Sequence, residues 1–207
     1  GKSSIVKSIM GIEHPTSGTI TINGIRYQPV TPMIANREGI TWVPQDLSPS
    51  NYLTIYQNFF LGRELYLRGL PFIAKRRMER TFEEACRTYA VTLARPAKSQ
   101  MSSRTKGKHQ LFEMLRTAYF PSSLVILDEA SASLSREDKK IMNAMLTDLR
   151  RRGCAILFAT HKVQDVYAWA DRFIILYNGR IGIKVNKNDV SLRDVEKMLI
   201  SSHLGAV

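Results

Sequence analysis

The sequence contains few cysteines, no long apolar run and no segment typical of a secretory leader. Its two cysteines among 207 residues, Cys86 and Cys154, have neither metal-ligand spacing nor the arrangement of a disulfide framework. We therefore expect a reducing compartment. No stretch approaches the roughly 20 apolar residues that span a bilayer, and no signal peptide is visible. Because the first residue is glycine rather than methionine, we expect a fragment or a processed chain.

Acidic residues are also scarce relative to basic ones. The 30 lysines and arginines outnumber the 18 aspartates and glutamates, which gives a net charge of +12. Such a balance favours an anionic partner, namely a nucleotide, a nucleic acid or a membrane surface. Any single basic cluster, such as Lys75–Arg77 or Arg150–Arg152, is better explained by a solvated basic surface. The 44% hydrophobic content is sufficient for one domain, or for one domain with a subdomain.

Strand and helix patterns alternate along the chain and predict a mainly parallel α/β core. Apolar runs at Ile40–Val43, Leu124–Leu127 and Cys154–Phe158 predict buried strands. Asn-Gly pairs at 23–24 and 178–179 predict tight hairpin turns and thus a small antiparallel part. A helical pattern from Thr54 to Ala94 predicts a helical insert. We expect one domain over 1–207 with a helical subdomain at about 46–116.

The run Leu124–Ala130 ends in two adjacent carboxylates, Asp128 and Glu129. Carboxylates at the carboxyl end of a buried parallel strand lie where α/β sheets bind ligands. Taken alone, the run fits equally well an ordinary strand with two solvated acids at its tip.

Further polar residues occupy comparable positions. Gly1-Lys2-Ser3-Ser4 has the form of the end of a phosphate-binding loop leading into a helix, with Ile5, Ile9 and Met10 on one helical face. Gln45 follows the predicted strand Ile40–Val43, and His161 follows the strand Cys154–Phe158. Each position alone is weak evidence, and His161 alone fits a structural histidine.

Together and in this order, these motifs resemble those of the ATP-binding cassette (ABC) family over nearly the whole chain. Five motifs match in register: the end of the Walker A loop at Gly1–Ser4, the Q-loop at Val43–Gln45, Walker B at Leu124–Glu129, the D-loop at Ala132–Ser135 and the switch histidine at His161. The resemblance implies a P-loop NTPase core. In the family, a central strand and an adenine-stacking aromatic precede the loop, so we expect the 207 residues alone to be marginally folded and to bind ATP poorly.

The resemblance also implies the roles of the site residues. Gly1, Lys2, Ser3 and Ser4 would bind the phosphates of ATP, while Ser3, Gln45 and Asp128 would hold Mg²⁺. Glu129 would activate the attacking water, Gln45 would couple the site to the transporter, and His161 would contact the γ-phosphate. The chain is thereby identified as an ATPase whose cofactors are ATP and Mg²⁺.

The signature loop departs from the family pattern. Anchored on Gln110 and Glu113, it corresponds to Arg104–Lys108, where the hydroxyl of Thr105 and the glycine Gly107 are retained. Through these residues it would contact ATP bound to the opposite cassette. Lys106 replaces the first glycine, so its side chain could crowd that approach or attract phosphate by its charge.

The segment Gln57–Glu64, together with Thr160–Lys162, is similar to cassettes of ribose and galactose importers. This implies a subunit that powers import of a sugar or similar small solute, located at the cytoplasmic face of the cell membrane. Its partners would be a second cassette (a homodimer or a fused tandem copy), membrane permease subunits and, indirectly, a solute-binding protein. Two alternatives stay open: a degenerate cassette with a regulatory role, and a soluble cassette ATPase acting on nucleic acid, although we expect no nucleic acid partner.

Overall fold

The computed structural model describes residues 1–46, 49–93, 97–100 and 105–203, and it confirms the predicted α/β class. The helices are α1 Lys2–Ile9, α2 Pro32–Arg37, α3 Ile55–Phe60, α4 Lys75–Thr88, α5 Lys106–Tyr119, α6 Arg136–Arg151, α7 Val163–Val166 and α8 Leu192–His203. The strands are β1 Ile20–Ile22, β2 Ile25–Tyr27, β3 Ile40–Val43, β4 Leu124–Asp128, β5 Ala155–Ala159, β6 Arg172–Tyr177 and β7 Arg180–Asn186.

The strands form one parallel sheet and two antiparallel pairs. The parallel sheet has the order β3-β4-β5, while β1 pairs with β2 and β6 with β7. Both predicted hairpin turns are present, because Asn23, Gly24, Asn178 and Gly179 all have positive φ angles, between 45° and 79°. Two successive residues with positive φ define the turn type that matches the twist of a hairpin.

The chain divides into two compact units, Gly1–Ile40 with the chain from Leu157 onward, and Thr41–Ile156. In the first unit, Val163, Phe173, Ile175 and Val195 form a small core in which the Tyr167 and Phe173 rings stack at 5.7 Å. A close contact also fixes the end of α1, where a Cβ atom on Gly11 would lie 2.4 Å from the carbonyl carbon of Thr31. Only glycine fits there.

The second unit is built around an aromatic cluster centred on Phe59 of α3. Its ring lies 5.1–6.2 Å from five other aromatic rings, those of Phe60, Phe82, Phe112, Tyr119 and Phe120. A capping box between Thr54 and Gln57 starts α3. The cluster therefore joins α3, α4 and α5 through tightly packed rings.

Two details differ from the sequence-based expectations. In α1 the buried residue is Val6, whereas Ile5 is exposed. Val6 has the i, i+3, i+4 spacing to Ile9 and Met10, so it fits the helical face with them better than Ile5 does. The helical prediction from Thr54 to Ala94 holds for α3 and α4 but is wrong for the segment between them, and Ala94 lies outside the described residues. Between α3 and α4, Gly62, Gly69 and Pro71 interrupt the helical pattern, since glycine and proline disfavour helix interiors. The subdomain boundary at about 46–116 stays a prediction.

Within the described parts of the chain, no helix has both the length and the hydropathy needed to cross a bilayer.

Replacing Phe59 by alanine should lower the free energy of unfolding by about 3–5 kcal/mol, because it removes the fully buried central ring of the aromatic cluster. Urea denaturation followed by circular dichroism measures this change. The control is Tyr52→Ala, since Tyr52 is 94% exposed and its truncation should change stability by less than about 0.5 kcal/mol. Equal losses in the two variants would contradict the assignment of Phe59 as the centre of this core.

Candidate functional site

Two carboxylates lie at the carboxyl end of strand β4. Asp128 closes the strand and is 4% exposed, and Glu129 follows it at 9% exposure. Glu129 also has a φ of +51°, the left-handed region that costs a non-glycine residue about 1–2 kcal/mol. Such strain persists where the surrounding structure holds the residue and is concentrated at functional sites.

A tight turn follows Glu129 and leads to α6. The Ala132 N–H donates to the Glu129 carbonyl at 3.1 Å, and Ser131 is buried. Ser135 then caps α6, accepting a hydrogen bond from the Asp138 N–H at 3.1 Å. The turn therefore fixes the backbone on which Glu129 is held.

Helix α5 begins directly against this turn. Thr105 is its N-cap and accepts from the Lys108 N–H at 3.4 Å. A Cβ atom on Gly107 would lie 2.5 Å from the Ser133 carbonyl oxygen, so glycine is needed for packing within the chain. From the sequence alone, Gly107 was predicted only to allow the approach of a phosphate. Of the predicted signature loop, Arg104 lies outside the described residues.

A cavity of ≈ 210 Å³ lies between the end of β3, the turn after β4 and the start of α5. Its lining consists of Gln45, Asp46, Lys106, His109, Gln110, Glu129, Ala132 and Ser133. The structure thus brings together Gln45 and Glu129, two residues that are 84 positions apart in sequence. Thr105 and Asp128 adjoin lining residues in sequence but do not line the cavity themselves.

His109 and Gln110 are lining residues that the sequence analysis did not assign to the site. They lie three and four positions after Lys106 on α5, which is the spacing of one helical face. This spacing from Lys106 was the sequence signal that could have assigned His109 and Gln110 to the site. The Gln110 Nε2 atom is buried and finds no acceptor among the described residues, so a water or ligand acceptor in the cavity would relieve an otherwise unpaired donor.

Ion pairs anchor α5 beside the cavity. Lys108 Nζ lies 2.8 Å from Asp138 Oδ1 in a half-buried pair that joins α5 to α6. Lys106 Nζ lies 3.9 Å from Asp46 Oδ1, but both side chains are well exposed and such pairs contribute little. Further along α5, burial raises the pKa of Glu113 despite the nearby Arg116 guanidinium.

The remaining predicted site residues belong to the first unit. Gly1 is the N-cap of α1, and no side chain caps the helix, whose first turn contains Lys2, Ser3 and Ser4. Ser3 and Ser4 are exposed, so their hydroxyls and the first-turn amides remain accessible to an anion. His161 is exposed and follows β5 by two residues. Beside it, the Lys162 N–H donates to Thr160 Oγ1 at 3.0 Å.

The sequence profile described as ABC transporter matches residues 1–132. Three curated sugar-import proteins are similar to most of the chain. The D-allose import ATP-binding protein AlsA of Escherichia coli is 28% identical over 99% of the chain, and the ribose import ATP-binding protein RbsA of Cereibacter sphaeroides is 30% identical over 99%. The chain spans 40% of each of these two relatives. The fructose import ATP-binding protein FrcA of Rhizobium meliloti is 31% identical over 94% of the chain and 76% of its own length.

Solved structures agree in fold. A dimeric ATP-binding cassette in a post-hydrolysis state with ADP and Pi superposes with a TM-score of 0.75 at 20% identity, covering 90% of this chain and 81% of that one. The ATP-binding subunit of an ABC transporter gives a TM-score of 0.73 at 23% identity, covering 100% and 83%. These likenesses support the P-loop NTPase fold.

Replacing Gly107 by alanine should destabilise the chain by about 1–3 kcal/mol, because the added Cβ meets the Ser133 carbonyl oxygen. The midpoint of urea denaturation reports the change. Gly182→Ala is the matched control, since a Cβ there lies in ordinary contact, 3.7 Å from the nearest atom. Unchanged stability of Gly107→Ala would mean that α5 does not need this close approach.

Proposed function

The chain belongs to the ABC transporter family, and on that premise we propose that it binds and hydrolyses ATP to power import of a sugar or similar small solute. The observation that carries the proposal is the cavity beside the start of α5. Glu129, which directly follows the buried Asp128, lines this cavity together with Gln45. A carboxylate and an amide converging on one polar cavity are the groups that orient a water and couple it to bound nucleotide.

The relatives support the class of solute. The names of AlsA, RbsA and FrcA assign these proteins to import of allose, ribose and fructose, respectively. For this chain we propose a related solute and three kinds of partner: a second cassette, membrane permease subunits and, indirectly, a solute-binding protein. The chain would then be located at the cytoplasmic face of the membrane.

In the proposed reaction, a water attacks the γ-phosphorus of ATP while the bond to the β–γ bridging oxygen breaks. Glu129 accepts the proton of that water, and its restrained backbone limits the positions its carboxylate can take. Lys2 balances charge on the β- and γ-phosphate oxygens, and His161 donates a hydrogen bond to the γ-phosphate. The uncapped start of α1 suits the phosphate chain, since its amides lack a side-chain acceptor.

The oxygen donors proposed for Mg²⁺ fit that ion. Ser3 offers a hydroxyl, Asp128 a carboxylate and Gln45 an amide oxygen, all ligands of the type that Mg²⁺ prefers. Among the described residues, no group of three or more His, Cys, Asp or Glu side chains could hold a metal. Mg²⁺ commonly takes only one or two carboxylates from a protein and completes its shell with substrate phosphates and water. Bound there, it would neutralise phosphate charge.

A second candidate function is regulatory: a cassette that binds nucleotide with little hydrolysis. The close approach of Gly107 to the Ser133 carbonyl oxygen favours the regulatory function, because Gly107 already packs against its own chain. Lys106 adds an exposed side chain where the family has a glycine. Through Thr105 and Gly107 the loop would contact the ATP of the opposite cassette, so this defect would act on the partner's site.

Replacing Glu129 by glutamine should leave ATP affinity intact and lower ATP turnover by about 100-fold or more, because the amide cannot accept the proton of the attacking water. The measurements are nucleotide titration and phosphate release in the assembled transporter. Glu137→Gln is the matched control, since Glu137 is an exposed acid in the first turn of α6. Unchanged turnover of Glu129→Gln would remove Glu129 from its proposed role.

Pairing this chain with a cassette that carries an intact signature distinguishes the two candidates. We expect turnover at the site that combines Lys2, Asp128, Glu129 and His161 with the partner's signature. Absence of turnover at both sites, with nucleotide still bound, would favour the regulatory function.

A further inference from the structure

A basic groove of ≈ 470 Å³ lies where the connection from α3 enters α4, in the second unit and away from the cavity described above. We call it the 66–80 groove. Its lining consists of Tyr66, Leu67, Arg68, Ile73, Ala74, Lys75, Arg76, Arg77 and Arg80. No residue of this groove lines the cavity that contains Glu129.

The groove concentrates unpaired positive charge. Five of its lining side chains are cationic, while the only acid within residues 66–80, Glu79, pairs with Lys98 at 3.4 Å. Within the described ranges, none of the five cationic side chains forms an ion pair or hydrogen bond. Three of them, Lys75, Arg76 and Arg77, also lie in the first turn of α4, where the helix dipole disfavours cations. Interactions among the described residues therefore do not account for these charges, whereas an external anion would.

Exposed apolar side chains lie beside these cations on one ordered turn. A bridge pairs Tyr66 with Ile73, and the Leu67 N–H donates to the Phe72 carbonyl at 2.8 Å. The turn nevertheless exposes five large apolar residues, Tyr66, Leu67, Leu70, Phe72 and Ile73, with Phe72 at 63%. A turn held by backbone hydrogen bonds thus presents apolar side chains to solvent, which points to a contact outside the chain.

We propose that the 66–80 groove and its turn bind an anionic phospholipid surface directly. Headgroup phosphates would pair with the cations, and the apolar tip around Phe72 would enter the boundary between headgroups and acyl chains. A basic face next to aromatic and aliphatic side chains is the composition of interfacial membrane contacts. A soluble phosphate would satisfy the cations but would leave the apolar tip in water. The proposal does not rest on ATP hydrolysis, so lipid binding and turnover are separately measurable.

Vesicle co-sedimentation tests this proposal. The protein should sediment with phosphatidylcholine vesicles containing about one third phosphatidylserine, and not with pure phosphatidylcholine. The triple variant Arg76→Gln, Arg77→Gln, Arg80→Gln should weaken binding on the order of a hundredfold, since each basic side chain near an anionic surface contributes about a factor of five. The variant Phe72→Ala should weaken binding severalfold while leaving its salt dependence unchanged.

Matched controls distinguish binding at the 66–80 groove from a general effect of positive charge or of exposed aromatic rings. The triple variant Arg26→Gln, Lys184→Gln, Lys197→Gln removes three exposed cations outside the groove, and Tyr52→Ala removes an exposed aromatic ring. Both should bind like the unmodified protein, and circular dichroism verifies that all variants fold. Three outcomes would overturn the proposal: equal losses in the control triple variant, displacement by millimolar glycerol phosphate, or groove-dependent binding to a labelled RNA oligonucleotide without preference for anionic vesicles.

Discussion

The candidate site depends on the close approach of α5 to the turn after β4. The missing side chain at Gly107 lets the helix lie against the Ser133 carbonyl, and the Lys108–Asp138 pair holds α5 to α6 nearby. From this position α5 directs His109 and Gln110 into the cavity that contains Glu129. A displacement of the helix start would therefore change both the cavity and the backbone that holds Glu129.

The other end of α5 is tied to the aromatic cluster. Arg116 donates from Nε to the Phe59 carbonyl at 3.0 Å and from Nη2 to the Leu61 carbonyl at 2.7 Å, which satisfies carbonyls at the end of α3. The 14 residues of α5 span about 21 Å at 1.5 Å per residue. A single helix thus links a polar cavity at one end to a packed apolar core at the other. A shift of α5 would therefore change the packing of both.

The sequence predicted features that depend on local chemistry. The apolar run before Asp128 and the Asn-Gly turns each have a local physical cause, and both are present. Features that depend on distant partners were not predictable in the same way. The packing role of Gly107 requires knowledge that Ser133 lies against it. For the same reason His109 was not assigned to the site.

The left-handed backbone at Glu129 sets conformational stability against the chemistry proposed for this residue. Glycine would adopt this conformation without strain, and asparagine with less strain than glutamate. A population of variants screened only for thermal resistance would therefore tend to lose this carboxylate, because its replacement removes strain from the turn. Under such a screen the acid has no benefit to offset its conformational cost. Its presence in the sequence is the trace of selection for something other than stability.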